Sequence, residues 1–323
     1  MTHVRRLGLL TVVAAIGLAA LVVGVGVRTS TALFGDQETI TASEATAGCF
    51  TNDAAAPTIP TSVISKTTPY LGGSIRQGST YYVYANITGP ATRVTADIRP
   101  LTAGQFLAPM SAGAYSVGGV AYGWRTASFT AATPLGEGAY TYSVSAANAA
   151  LECRTTSFTV TMDNTAPTPT DVQPTRVGGI AGRPEQGDRM VYTFSETIDP
   201  ETILAGWTGA STNVVVRITD NGSLDTVTIW NAANAVQLPL GSTNLNGNFV
   251  TTNCTFGASG TASTMVQAGA VITVTFGTLA GTNRTQNGSQ AAVWTPSAGP
   301  TDGAANASTT PNVTEGGAND PNF

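Results

Sequence analysis

Histidine is almost missing from this chain: His3 is the only one in 323 residues. Without it there is no Ser-His-Asp or Cys-His catalytic centre, and no histidine-bound metal in the body of the sequence. Lysine is as scarce, with Lys66 alone, and charged residues of all kinds make up 10% of the composition. Gly, Ala, Thr, Ser and Asn fill the surface instead, which is the composition of neither a polyelectrolyte nor a helical bundle. Three basic residues, Arg5, Arg6 and Arg28, flank an apolar run. Outside that run, 11 basic residues face 19 acidic ones, a net −8. Nucleic acid is therefore not an expected partner, since a run of phosphates would meet net repulsion.

Long apolar runs are absent except at residues 7–27 (LGLLTVVAAIGLAALVVGVGV), directly after Arg5 and Arg6. Roughly 20 such residues cross a bilayer, and the positive flank keeps the start on the cytoplasmic side. Ser30 and Ala32 place small residues at −3 and −1 of a cut that leaves Leu33 first, so removal as a signal peptide is favoured over a retained anchor. Either way, residues 1–32 are expected to send the remainder across a membrane.

Beyond this segment no helical period is sustained, and strict alternation recurs. Val94/Ala96/Ile98, Tyr140/Tyr142/Val144/Ala146, Phe158/Val160/Met162, Met190/Tyr192/Phe194 and Ile272/Val274/Phe276 each place apolar residues on one face. An all-β chain follows. Asp220-Asn221-Gly222-Ser223 separates two such runs, and Asn-Gly suits a type I′ hairpin turn. A single helical turn is expected where Asp199 caps Pro200 and Gly206 ends it. Prolines at 167 and 169 mark a boundary. The expected organisation is an N-terminal mature segment at 33–54, β-sandwiches at 55–164 and 165–295, and a loose, low-complexity tail at 296–323. An edge strand near Val313 is the one regular element expected in that tail.

Two resemblances bear on this outline. Thr31-Ala32-Leu33-Phe34-Gly35-Asp36-Gln37-Glu38-Thr39, with Glu44-Ala45-Thr46-Ala47-Gly48, resembles the processing region of camelysin/TasA-type exported proteins. That resemblance implies cleavage by a dedicated signal peptidase, and fibres in which one subunit lends an N-terminal strand to the next. Gly138–Asn148 with Ser157–Pro167, and Gly187–Glu196 with Ile198-Asp199-Pro200, resemble bacterial immunoglobulin-like modules of cell-wall and adhesin stalks. They imply two immunoglobulin-like sandwiches with a display or adhesive role. The expected partners are a cell-wall or surface component, or further copies of the chain; a secreted module binding wall glycan is the alternative.

Candidate sites are few. Cys49 and Cys153 both border the first sandwich and are expected to pair in an oxidising compartment, leaving Cys254 over. Calcium is the one cofactor with candidate ligands, Asp163, Asn164 and Asp171 near the domain boundary, although Asx-turns explain the same residues more plainly. The Gly-rich stretch 113–123 offers Tyr115, Tyr122 and Trp124 as a candidate ligand face, with core plus a turn as the plainer reading. Glu196, Asp199 and Glu201 cluster as glycosidase carboxylates do, but the last two suit a helix start. An enzyme is not expected.

Overall fold

A computed structural model describes residues 50–51, 56–67 and 71–323. The apolar run, Ser30, Ala32, Leu33 and Cys49 lie outside the described residues. The architecture is all-β, in two units with separate sheets and separate cores.

The first unit begins with β1 (Phe50–Thr51), β2 (Thr58–Ser65), β3 (Ser74–Ile75) and β4 (Thr80–Thr88). It continues with β5 (Arg93–Asp97), β6 (Ala108–Val117), β7 (Val120–Thr126), β8 (Phe129–Thr130), β9 (Gly138–Ala147) and β10 (Glu152–Met162). Their order is β1-β10-β9-β5-β6-β7-β4-β2, with β3 on β10 and β8 on β4. The long β6 turns the corner of this sandwich: its start pairs with β5 and the rest with β7, past a register shift between Ala112 and Tyr115. A bulge of this kind bends a strand from one layer into the other. β2 then packs back across β9 and β10. The alternation read from the sequence is met: Val94, Ala96, Tyr142, Val144, Ala146, Val160 and Met162 all point into the core.

The second unit holds β11 (Pro169–Thr175), β12 (Arg189–Phe194), β13 (Thr212–Thr219), β14 (Thr226–Asn231), β15 (Ser242–Asn244) and β16 (Cys254–Phe256). After these come β17 (Ser263–Ala268), β18 (Val271–Thr275), β19 (Leu279–Ala280), β20 (Val293–Thr295) and β21 (Val313–Thr314). The order is β11-β12-β18-β17-β13-β14-β15-β20-β21, and β16 bridges β13 and β19. The expected single turn is a 3-10 turn at Pro200–Thr202, capped by Asp199, whose side chain accepts from Glu201 N.

Two expectations need correction. β13 and β14 do pair antiparallel, but not through a type I′ turn. Among the loop residues Gly222 takes a positive φ and Asn221 does not, so the two-residue geometry is not formed. The buried Asp225 organises a wider loop, accepting from the backbone N–H groups of Asn221, Phe249 and Val250 at 3.0, 2.6 and 2.9 Å. Asp225→Ala would strand three donors, so a loss of about 3 kcal/mol or more is expected in a denaturant titration.

The second correction is larger. The 296–323 segment is not loose. β21 pairs with β20 and closes toward β11, where Gly316 N donates to Asp171 and Gln173 Nε2 donates to the Gly316 carbonyl. Phe323 sits in the core against Phe249 and Phe276, with ring centroids 5.6 and 5.5 Å away. Residues 300–309 wedge between the two units. Asp199 N donates to the Thr301 carbonyl and Thr309 N to the Pro167 carbonyl, while the Tyr81 hydroxyl reaches the Ala304 carbonyl at 2.8 Å. The segment escaped the sequence reading because its anchors are single residues without periodicity.

Candidate functional site

Two places collect ionisable or aromatic groups with more than a packing role. The first is the junction between the units. β10 runs out at Met162, so Asp163 stands at the end of the first sheet, and Glu196 follows β12 of the second. Asp302 comes from the wedge. One carboxylate oxygen from each lies within 4.8 Å of the others. Burial, then the charges of Asp163, Asp302 and Glu137, push the Glu196 carboxyl up to about 7. Burial, with Asp302 and Glu137, also raises Asp163. Lys66 is within electrostatic reach of Asp199 and Asp302, but burial lowers its own pKa.

This cluster differs from the expected calcium set. Asp163 belongs to it, but Asn164 is spent on Gln77 N and the Leu135 carbonyl, and Asp171 bonds Gly316 N. Asp163 also accepts from Thr165 N, the Asx-turn that was the plainer reading. Both Asp302 oxygens accept from Asn306, through its backbone N and Nδ2 at 2.8 and 2.7 Å. Calcium takes six to eight oxygens, so three carboxylates with one already occupied leave most of a shell unfilled. What the arrangement does favour is a shared proton, because like charges this close resist full ionisation. A 230 Å³ surface cavity lies elsewhere, on the Leu204–Thr212 loop, beside Trp207 and without an ionisable side chain. Asp302 was missed in the sequence because its segment read as a tail.

The second place is an aromatic plate on β4, β6 and β7. The Arg125 guanidinium carbon lies 4.5 Å from the ring centroids of both Tyr82 and Tyr115, and 6.0 Å from that of Tyr84. Tyr84 in turn stands 6.1 Å from Tyr115 and 5.9 Å from Tyr122. The β6 bulge makes this possible by folding Tyr115 back over Gly113, where an added Cβ would come within 2.7 Å of the ring. The sequence-based ligand face is thus only partly assembled. Tyr115 and Tyr122 share the plate, whereas Trp124 packs against the core beneath. Arg125 and Tyr82 were missed; the alternation Tyr82/Tyr84 opposite Arg125 was the available signal.

Cys153 is buried and disulfide-bonded, while Cys254 is a free, buried thiol whose pKa burial raises to about 12. β1 lies parallel on the edge of β10, with Thr51 across from Cys153.

Comparison with known proteins adds little. No protein family matches the sequence, and no curated protein matches it. The chain is similar at 15% identity to a chimeric titin Z1Z2-Z1Z2 tandem carrying a GRGDS peptide from fibronectin. That match covers 80% of this chain and 97% of the other, with a TM-score of 0.18. A second likeness, also at 15% identity, is to dimeric latent PorU from Porphyromonas gingivalis, with a TM-score of 0.22. It covers 81% of this chain but only 20% of PorU. Likenesses this shallow carry no inference about function.

Proposed function

We propose that the chain is an exported surface module that acts structurally or adhesively, as a spacer, wall-associated element or fibre subunit. The observation that carries this reading is the junction. The two β units are joined by hydrogen bonds from one wedge to both sides, Tyr81 of the first unit donating to the Ala304 carbonyl and Asp199 N of the second donating to the Thr301 carbonyl. A tandem tied in this way resists bending at its junction, as a spacer requires; a flexible linker would not. A disulfide at Cys153 suits an oxidising compartment. Among the described residues no helix is long and apolar enough to cross a membrane, so the proposed export rests on residues 7–27.

N-terminal sequencing of native protein from membrane, wall and medium fractions tests export. A start at Leu33 is expected; a start at Met1 in the cytoplasm alone would remove the proposal. The proposed disulfide partner of Cys153 is Cys49, and non-reducing peptide mapping should recover that pair with Cys254 free. Closing so long a loop stabilises by up to ~4 kcal/mol, and reduction should lower the melting point accordingly. Three free thiols would overturn the pairing. Fibre formation by strand lending would be lost on deleting residues 33–48 while both units still melt cooperatively; polymers that survive the deletion rule it out.

A further inference from the structure

The aromatic plate does more than cover a sheet. Arg125 is half-buried between two tyrosine rings, which fix the plane of its guanidinium. The ion pairs among the described residues are Arg99–Asp97 and Arg183–Glu185, and Arg125 takes part in neither. The neighbours it does have are phenols: Tyr82, Tyr84 and Tyr115. A stacked guanidinium loses little freedom on binding, and its remaining N–H edge matches a planar oxyanion in a two-pronged contact. On a chain that is acidic overall, a cation left without a carboxylate is a place where a carboxylate from elsewhere fits. Screening over about 8 Å at physiological ionic strength leaves such a site to its local charge, so the net negative charge of the chain does not forbid it.

The surroundings narrow the ligand. Beside Arg125 the β6 residues Ser111, Ala112, Gly113 and Ala114 are all exposed, and Ser111 is its direct cross-strand neighbour. They make an exposed apron of small side chains, broken by the bulge between Ala112 and Tyr115. A peptide bound in extended form needs pockets for alternate side chains, and the apron offers none. A sugar ring needs only a flat aromatic border and hydrogen-bonding hydroxyls, which Tyr82, Tyr115 and Tyr122 provide. Arg99 has a similar ring contact, lying 4.3 Å from the Phe106 centroid, but Asp97 already neutralises it.

We infer that Arg125 and the tyrosines around it form a binding site for the carboxylate of an acidic polysaccharide. The inference gives the proposed surface module a ligand class, but binding is measured on the purified chain, so a failure of export would leave it standing.

The test is binding of the full chain, in mild non-ionic detergent, to polygalacturonate, to its fully methyl-esterified form and to poly-glutamate. Polygalacturonate should bind, and the neutral ester should bind about tenfold to a hundredfold more weakly, the range expected for losing a charge-assisted contact. Arg125→Gln should cause a similar loss, and Arg125→Lys an intermediate one because the planar fork is gone. Should Arg125→Gln fail to fold, Ser111→Glu puts a competing carboxylate across from Arg125 at an exposed position and should abolish binding with an unchanged melting point. Equal binding of the methyl ester, preference for poly-glutamate, or full binding by Ser111→Glu would each overturn the assignment.

Discussion

A chain ending at residue 295 is expected to lose cooperative folding of its second unit, while the first unit still melts as a unit. Phe323 alone is 1% exposed between Phe249 and Phe276, and emptying such a site costs about 3–5 kcal/mol. The same truncation removes β21 from the sheet and leaves the closing face near Asp171 and Gln173 open. It also removes Asp302, Ala304 and Ser308, all buried. Whole domains are stable by only about 5–15 kcal/mol, so these losses together reach that total. The first unit loses far less, chiefly the acceptor of the Tyr81 hydroxyl and the Asn306 donor to the Asp163 carbonyl, each worth about 1 kcal/mol. Limited proteolysis followed by mass spectrometry reads the difference: fragments from 169–295 should appear quickly and those from 56–162 slowly. Phe323→Ala should give the intermediate case, a folded second unit with a lower denaturant midpoint. A truncated chain that melts like the intact one would show that the segment is only attached to a core complete without it.

That segment also marks where the sequence stopped being readable. Strands were legible because burial on one face imposes a period of two, and β12 and β18 follow it residue by residue, β9 and β10 over most of their length. The boundary at Pro167–Pro169 was legible because proline interrupts a ladder. Nothing comparable marks Asp302, Glu315 or Phe323. Asp302 is held by Asn306 four residues on, Glu315 by the distant Ala292 N and Phe323 by the Phe249 and Phe276 rings, and a Gly-, Asn- and Thr-rich stretch reads the same whether it is solvated or buried. The Asn221-Gly222 turn failed for a related reason: Asp225 competes for the loop through Phe249 and Val250, which lie more than twenty positions away. Of the ligand face, Tyr115 and Tyr122 could be read as exposed aromatics, but the bulge that swings Tyr115 onto Arg125 depends on how β6 passes between two layers.

Stability should fall as the pH rises from about 4.5 to about 7.5. Two glutamates set the sign. Burial, with the charges of Asp163, Asp302 and Glu137, raises Glu196 to about 7; burial, with Asp320 and Asp171, raises Glu315 to about 7 against the opposing hydrogen bond from Ala292 N. In the unfolded chain both titrate near the ordinary value of about 4.3. Between those limits the folded state keeps protons that the unfolded state has released, so each step up in pH favours unfolding until both groups have ionised. Glu315 is buried and its Oε1 has no hydrogen-bond partner, so its ionised form gains little from its surroundings. Glu196 is partly exposed and its share is reduced by solvent screening, which puts the combined loss at about 2–4 kcal/mol. Asp97 works in the opposite direction. Its burial is outweighed by hydrogen bonds and charge from Arg99, its pKa is lowered, and the stability it adds is lost only as the pH falls through that lowered value. The optimum should therefore lie at about pH 4 to 4.5, between the acid loss at Asp97 and the onset of the loss at the two glutamates. Denaturant midpoints at pH 5 and pH 8 decide the matter, with Glu196→Gln, Glu315→Gln and the double variant alongside. The wild-type midpoint should drop at the higher pH. The double variant should hold nearly level and exceed wild type there, because its neutral amides cannot ionise. A drop of the same size in the double variant would mean that neither the junction nor the β21 anchor carries the proton, and the crowded carboxylates at Asp163, Glu196 and Asp302 would then have to be relieved in some other way.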